Sequence, residues 1–222
     1  MLPIPQITDE KVALEIGLPE ELLDFARMVN SGELSGRADV TVRLTADLDM
    51  TGTKWVPIGF GGACFSGVFD GGGHTISGVT FRKEWPGNYG LFGACVGTIE
   101  NLTVTGSITC VEGDDHSAVG GIAGLVVGGH IENCKTDIII DSNRLSLGMY
   151  AGGVVGNVQG HSTVSDCLNR GVMDANEYDF EFLTLGDIVG RWEGESVFLQ
   201  SGRRDTLSGH RRTASSMTKE ER

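Results

Sequence analysis

Glycine-marked blocks recur along this chain at a nearly constant interval. Each block ends in a glycine that follows an apolar stretch, and these closing glycines are Gly93, Gly124, Gly156 and Gly190. Successive closing glycines are 31, 32 and 34 residues apart. A repeat of this length can hold three short strands and two or three corners, which is what one turn of a β-solenoid needs. The repeat therefore predicts one elongated stack of turns.

A four-residue pattern supports the same stacking. Its first and fourth residues are apolar or Cys, and its third is Gly, Asn or Asp. The copies begin at Ile76, Ile99, Ile131 and Val164. Because like positions of successive turns lie about 4.8 Å apart, the apolar positions should form a continuous core. Asn101, Asn133 and Asp166 should form a polar column at one corner, with left-handed backbone and side-chain hydrogen bonds between turns.

One segment near the N-terminus has helical periodicity. Its apolar side chains fall on one helix face and are Leu18, Leu22, Phe25, Ala26 and Val29. Pro19 suits the first helical turn, and an open solenoid end needs a cover, so we interpret this helix as an N-terminal cap. The predicted organisation is a lead-in and cap helix over 1–38, a β-helix over 39–200, and a disordered basic tail over 201–222.

Composition and charge exclude several classes of protein. The 222 residues include 34 glycines without the collagen period, which indicates many tight turns. The formal net charge is −13, which disfavours nucleic acid as a partner. No apolar run is long enough for membrane insertion, and no secretion signal is evident. We therefore expect either a fragment of a longer secreted protein, which is the favoured interpretation, or a protein that stays inside the cell. The five cysteines are an odd number without CxxC spacing, which indicates neither a disulfide scaffold nor a zinc site, and Cys134 and Cys167 are predicted to be free thiols.

A family resemblance is carried by these repeats. Gly90-Leu91-Phe92-Gly93 and its copies resemble the GLUG motif of bacterial surface proteins, and the helix and the segment around Trp55-Val56-Pro57-Ile58-Gly59 resemble the region that precedes such repeats. The resemblance implies an all-β, right-handed parallel β-helix of about four to six turns, similar to the pectin-lyase-like architecture. Such modules occur in adhesins, in S-layer-linked proteins and in the non-catalytic parts of IgA-cleaving peptidases.

The best local candidates for catalysis are Asp114, Asp115 and His116. Paired carboxylates beside a base could serve a polysaccharide lyase or hydrolase of the pectin-lyase-like kind. The chain lacks the Asn-x-Asp, Gly-His-Gly and Arg-x-Lys elements that resemblance to polygalacturonases would require. A polar turn is therefore the favoured interpretation, and the enzyme is kept as the alternative.

Two other groups could bind a ligand. Five oxygen-bearing side chains within a short stretch could hold calcium, although a solvated acidic loop is favoured; they are Asp174, Asn176, Glu177, Asp179 and Glu181. Trp85 and Tyr89 flank a Pro-Gly-Asn turn, and a partly exposed aromatic ring there could stack on a sugar or a protein partner. Trp55 is expected to anchor the cap helix to the first coil.

The function predicted from the sequence is a non-catalytic structural or adhesive module at the cell surface. Its partner would be a cell-surface glycan or a protein ligand. The last turn, around Val189 to Phe198, could also pair end to end with a second copy.

Overall fold

The computed structural model describes residues 12–83, 86–110, 117–141, 149–174, 184–194, 197–199 and 202–203. It contains one helix, α1 (Pro19–Asn30). The strands before the first closing glycine and around it are β1 (Val12–Ile16), β2 (Val40–Leu44), β3 (Leu48–Asp49), β4 (Val68–Asp70), β5 (Thr75–Lys83), β6 (Asn88–Tyr89) and β7 (Phe92–Cys95). The next turns contain β8 (Thr98–Glu100), β9 (Thr103–Cys110), β10 (Ala118–Gly120), β11 (Ala123–Val127), β12 (His130–Glu132), β13 (Lys135–Asp141), β14 (Tyr150–Gly152) and β15 (Val155–Gln159). The last strands are β16 (Thr163–Ser165), β17 (Leu168–Asn169), β18 (Val172–Asp174), β19 (Thr184–Gly186), β20 (Val189–Glu193), β21 (Val197–Leu199) and β22 (Gly202–Arg203).

The strands form four parallel sheets of a β-solenoid of about five turns; sheets 1 and 2 start near the N-terminus, and sheets 3 and 4 start at β6 and β7. Sheet 1 has the order β1-β2-β4-β8-β12-β16-β21, and sheet 2 has the order β3-β5-β9-β13-β17-β22, with β18 also paired to β13. Sheet 3 is β6-β10-β14-β19, and sheet 4 is β7-β11-β15-β20. From β4 to β20 each turn adds a strand to every sheet, which confirms the all-β solenoid that the glycine repeat predicts.

The core is a set of files of like residues in successive turns. Ile99, Ile131 and Val164 are in parallel register in sheet 1, and each is at most 1% exposed. The predicted position of Ile76 in this file is wrong, because Phe69 pairs with Ile99 and Ile76 pairs with Val104 in sheet 2. The corner before Ile76 holds four residues, 71–74, where the next turn has only 101–102, and this difference shifts the four-residue pattern out of register.

The predicted polar column is present at the corner between sheets 1 and 2. Asn101, Asn133 and Asp166 have φ values of 54°, 48° and 52°, in the left-handed region. Asn101 donates from Nδ2 to Oδ1 of Asp70 in the preceding turn, at 3.0 Å. Asn tolerates this backbone better than most residues because its short polar side chain can satisfy local hydrogen bonds.

The cap helix lies between β1 and β2 in the chain, where later turns have strands of the other sheets. Its buried residues are Leu22, Phe25, Ala26, Met28 and Val29. Leu18 is 56% exposed and precedes the helix, so its predicted place on the buried face is wrong. At the helix start, the Glu21 carboxylate accepts hydrogen bonds from the backbone N–H groups of Gly17 and Leu18, which satisfies donors outside the helical ladder.

The ends of the solenoid differ from the predicted boundaries. The lead-in includes β1, which pairs in parallel with β2 over five residues and so belongs to sheet 1. At the other end β22 pairs with β17, so sheet 2 continues past residue 200. The remainder of the predicted disordered tail, 204–222, lies outside the described residues.

All five cysteines are free thiols, which confirms the prediction made for Cys134 and Cys167. Cys134 and Cys167 are buried in adjacent turns, where they fill the inward position next to Leu102 of the preceding turn. A hydrogen bond with Cys167, together with burial, raises the pKa of the Cys134 thiol well above its ordinary value. Burial raises the pKa of Cys95 to about 12. These thiols act as small apolar side chains of the core.

Candidate functional site

Four turns contain a tight reversal in which a strand of sheet 3 is followed closely by a strand of sheet 4: β6 and β7, β10 and β11, β14 and β15, and β19 and β20. In the turn of β10 and β11, only residues 121–122 separate the two strands. A Cβ atom added to Gly124 would lie 2.4 Å from the backbone nitrogen of Tyr89 and 2.8 Å from the carbonyl oxygen of Ala118. Gly156 and Gly190 meet backbone atoms at 2.4 Å and 2.6 Å in the following turns. The repeating glycine therefore permits direct backbone contact between sheets 3 and 4. We call the reversal between the two strands, together with its glycine (Gly124, Gly156 or Gly190), the glycine arch.

A groove of about 420 Å³ lies along the junction of sheets 3 and 4. Its lining residues from sheet 3 are Asn88, Ala118 and Tyr150. Its lining residues from sheet 4 are Leu125, Asn157, Gln159, Arg191 and Glu193. This size is at the lower end of the range of small-molecule sites, roughly 300–1,000 Å³.

The parallel register explains why the groove is there. Ala118 pairs with Asn88 of the turn before it and with Tyr150 of the turn after it. A methyl group therefore stands between two larger side chains in the same file, which leaves room beside the sheet. In sheet 4, Leu125, Asn157 and Arg191 are in register across three turns and form the opposite wall.

An ion pair and an aromatic ring fix one end of the groove. The guanidinium carbon of Arg191 lies 4.5 Å from the centroid of the Tyr150 ring. Its Nη1 donates to the Tyr150 hydroxyl, and its Nη2 lies 2.9 Å from Oε1 of Glu193. These contacts hold Arg191 in place, and the carboxylate of Glu193 balances its charge.

Asn157 is the polar group of the groove with an unmet hydrogen bond. Asn157 is only 6% exposed. Its Oδ1 atom is buried and accepts no hydrogen bond from the part of the chain that the structure describes. An unsatisfied buried acceptor costs about 1–3 kcal/mol. The preceding turn has Leu125 at the same register position, so the fold itself accepts an apolar side chain there.

The residues proposed from the sequence for catalysis and for calcium fall almost entirely outside the described residues. Asp114, Asp115 and His116 fall in 111–116, outside the described residues, as do Asn176, Glu177, Asp179 and Glu181. Asp174 is the last residue of β18, and its side chain is not among those described. Within the described ranges, no three His, Cys, Asp or Glu side chains are grouped so that they could hold a metal ion.

The predicted aromatic site is contradicted at one of its two residues. Tyr89 is 5% exposed, and its ring lies 5.3 Å from Phe60 and 5.7 Å from Phe81 between ring centroids. The expectation that Tyr89 is partly exposed is wrong because its ring is packed among these apolar side chains. Trp85 lies outside the described residues. Trp55 is also buried, at 3% exposure, and its Nε1 donates to the carbonyl of Gly90 at 3.3 Å.

The sequence does carry a signal for the groove. One repeat position is occupied in four successive turns by Ala94, Leu125, Asn157 and Arg191. It is apolar in the first two of these turns and polar from Asn157 onward. The glycine repeat and the four-residue corner pattern do not include this position, so neither of them indicates Asn157. A comparison over all positions of the repeat would have separated Tyr150, Asn157 and Arg191 from the rest.

Comparisons with known proteins agree with the repeat architecture. Residues 115–138 match the family described as the GLUG motif. Over 100 residues the chain is 39% identical to the "Putative Gly-rich membrane protein" of Evansella cellulosilytica, an overlap that covers 44% of this chain and 11% of the relative. The crystal structure of a "putative immunoglobulin A1 protease" from Bacteroides ovatus is similar with a TM-score of 0.52 and 18% identity, over 85% of this chain and 66% of that one. The chain therefore spans a small part of the sequence relative, and the structural likeness shows the fold. No helix in the described ranges is long and apolar enough to cross a membrane.

Proposed function

We propose that this chain, which carries the GLUG motif on a β-solenoid, is a non-catalytic module of a larger bacterial surface protein. It would hold other parts of that protein away from the cell and would engage a ligand through the groove at the junction of sheets 3 and 4. The observation that supports a structural role best is the seven-strand parallel sheet 1, which runs from β1 to β21. A sheet in which every turn seals the core of the next gives a stiff rod without a separate scaffold.

The location is supported by two observations of different kinds. The sequence relative is described as a Gly-rich membrane protein, and this chain matches only 11% of it. The described part of the chain has no membrane-spanning helix of its own. A module of this kind would be held at the surface by another part of a longer protein.

The absence of a catalytic role is supported by the chemistry of the groove. Glycoside hydrolases use a pair of carboxylic acids, one as acid and one as base or nucleophile. Among the described residues that line the groove, Glu193 is the one carboxylate, and it is engaged by Arg191 at 2.9 Å. This arrangement suits binding better than bond cleavage.

Two measurements test the proposal. Antibodies raised against this chain should label intact cells of the organism that carries the gene as strongly as permeabilised cells. Labelling of permeabilised cells alone would exclude a surface location. The purified chain should also release no reducing ends and no unsaturated sugars from pectin, polygalacturonate or alginate. Product formation that is lost when Asp114 and Asp115 are both changed to Asn would establish the polysaccharide-active alternative instead.

A further inference from the structure

We infer that the groove at the junction of sheets 3 and 4 binds a neutral glycan, with Asn157 as the residue that recognises it. This inference deepens the proposed function and rests on it, since it names the class of ligand that a surface module of this kind would meet. It is carried by a feature that the fold does not require, the buried amide of Asn157.

The first step concerns the unmet acceptor. Oδ1 of Asn157 receives no hydrogen bond from any described residue, while the side chain is almost fully buried. Such an atom is destabilising unless a donor is supplied from outside the chain. Oδ1 has almost no accessible surface as the side chain lies, so binding would include a rotation of the Asn157 amide toward the groove. A sugar hydroxyl there can donate to Oδ1 and at the same time accept a hydrogen bond from an amide nitrogen. Asn157 is therefore suited to a hydroxyl group that both donates and accepts.

The second step concerns the rest of the lining. Asn88 and Gln159 place two more amides beside the groove, and each amide can pair with a hydroxyl in either direction. Leu125 offers an apolar surface for the C–H face of a sugar ring. Polar groups that fix orientation on a partly apolar wall are the usual composition of small-ligand sites.

The third step concerns charge. Arg191 is bound to Glu193 and to the Tyr150 hydroxyl, so its charge is already compensated within the groove. The chain as a whole has a net charge of −13, which repels uronic acids, sialic acids and sulfated sugars. The observations therefore favour a neutral glycan over an acidic one.

The fourth step concerns space. Ala118 leaves a gap in the file that Asn88 and Tyr150 continue, and this gap forms part of the groove of about 420 Å³. A cavity of this size accepts a short part of a glycan and not a long polymer chain. Recognition of a terminal sugar or of a short oligosaccharide fits this space.

The test uses all 222 residues of this chain, fluorescently labelled, on a printed array of neutral oligosaccharides and of oligosaccharides that contain uronic or sialic acid. The strongest neutral binder is then titrated against three proteins: the native chain, Asn157→Leu and Ser66→Ala. Asn157→Leu removes the acceptor and introduces the residue that the preceding turn has in the same register. Ser66→Ala is the matched control because its hydroxyl oxygen is the other buried side-chain atom without a partner among the described residues, and it does not line the groove.

The native chain is expected to bind neutral oligosaccharides, and Asn157→Leu is expected to bind at least tenfold more weakly without a fall in melting temperature. Ser66→Ala should bind as the native chain does. If Asn157→Leu does not fold, Ala118→Leu provides the same reading, because a larger side chain there fills the groove in a file that already holds Asn88 and Tyr150. Unchanged affinity in the groove variants, binding to acidic oligosaccharides alone, or binding to no oligosaccharide would each overturn the inference.

The two proposals fail separately. If no glycan binds and antibodies still label intact cells, the glycan assignment is lost and the surface module remains. If the groove binds neutral glycans and antibodies reach the chain only after permeabilisation, the surface location is lost and the binding site remains.

Discussion

The Nδ2 atom of Asn133 donates a hydrogen bond to Oδ1 of Asn101, 2.9 Å away and one turn earlier in the solenoid. Asn101 donates in the same way to Asp70, and Asp70 also accepts from the backbone nitrogen of Gly72 at 2.8 Å. Both asparagines have left-handed backbone. One residue type therefore meets two needs at this corner: it tolerates the backbone conformation, and it connects neighbouring turns.

Two substitutions at Asn133 separate these roles. Asn133→Gly keeps the tolerated backbone and removes the hydrogen bond, so we expect it to lower the free energy of unfolding by about 1 kcal/mol. Asn133→Ala also places a residue without the short polar side chain that tolerates left-handed backbone at this position, and the expected loss is about 2–3 kcal/mol. Urea unfolding followed by circular dichroism measures both. Equal losses for the two variants would show that the backbone conformation contributes nothing.

The stacking of equivalent residues in successive turns could be predicted from the sequence because it depends on the repeat period alone. A residue and its equivalent one period later become neighbours, so the file of Ile99, Ile131 and Val164 and the column of Asn101 and Asn133 followed directly. The exception, Ile76, has a physical cause. The glycine-rich corner 71–74 is two residues longer than its counterpart, and a pattern of four residues cannot detect an insertion just before it.

The groove could not be predicted in the same way because it depends on lateral contact between two sheets within a turn. That contact is set by backbone atoms meeting at Gly124 and Gly156, and the sequence shows only that glycine recurs there. The outward direction of Asn157 and Tyr150 follows from the local pairing of β15 and β14. The burial of Tyr89 also depends on rings far away in the chain, Phe60 and Phe81.

The glycine arch should not tolerate a methyl group. Gly124→Ala would bring a Cβ atom to 2.4 Å from a backbone nitrogen, so two sheets would have to separate, and we expect a loss of about 3 kcal/mol or more. Gly61→Ala is the control: it has φ +68° and no atom within 4 Å of an added Cβ, so it measures backbone strain without a clash. Its expected loss is about 1–2 kcal/mol. A milder effect at Gly124 than at Gly61 in thermal and urea unfolding would contradict the close contact of sheets 3 and 4.

Glu100 should make the stability depend on pH. Burial, and then the carboxylates of Asp70 and Glu132 in the neighbouring strands, raise the pKa of Glu100 above its ordinary value of 4.5. As the pH rises above 4.5, the unfolded chain loses this proton more readily than the folded chain, so ionisation destabilises the fold at neutral pH. Glu100→Gln should therefore increase the free energy of unfolding at pH 7 by about 0.5 kcal/mol, with the small size due to solvent screening.

The gain from Glu100→Gln should disappear at about pH 4, where the carboxyl is largely protonated in both states. Glu15→Gln is the control, since Glu15 occupies the same file and its register partner is Arg43. Glu15→Gln removes the attraction between Glu15 and Arg43, so it should not increase the free energy of unfolding at either pH. Denaturant unfolding at the two pH values checks the pattern, and a gain of equal size at both would show that charge repulsion is not its cause.

The cap helix should be essential for the first turns through one aromatic side chain. The Phe25 ring lies 5.6 Å from Phe65 and 6.0 Å from Phe69 between centroids, and Phe69 in turn lies 5.3 Å from Phe92. Because this stack continues the core into the helix, Phe25→Ala should cost about 3–5 kcal/mol. Leu18→Ala, at an exposed position beside the same helix, should change the free energy of unfolding by less than about 0.5 kcal/mol.

Hydrogen exchange shows how far the effect of Phe25→Ala extends along the solenoid. Neighbouring turns supply most of the stability of each turn in a repeat protein. In the Phe25→Ala variant, amide hydrogen exchange should therefore accelerate in β1 and β2 before it does in β12 and β16. Uniform acceleration along sheet 1 would instead mean that the solenoid unfolds as one cooperative unit and that the helix stabilises all of it.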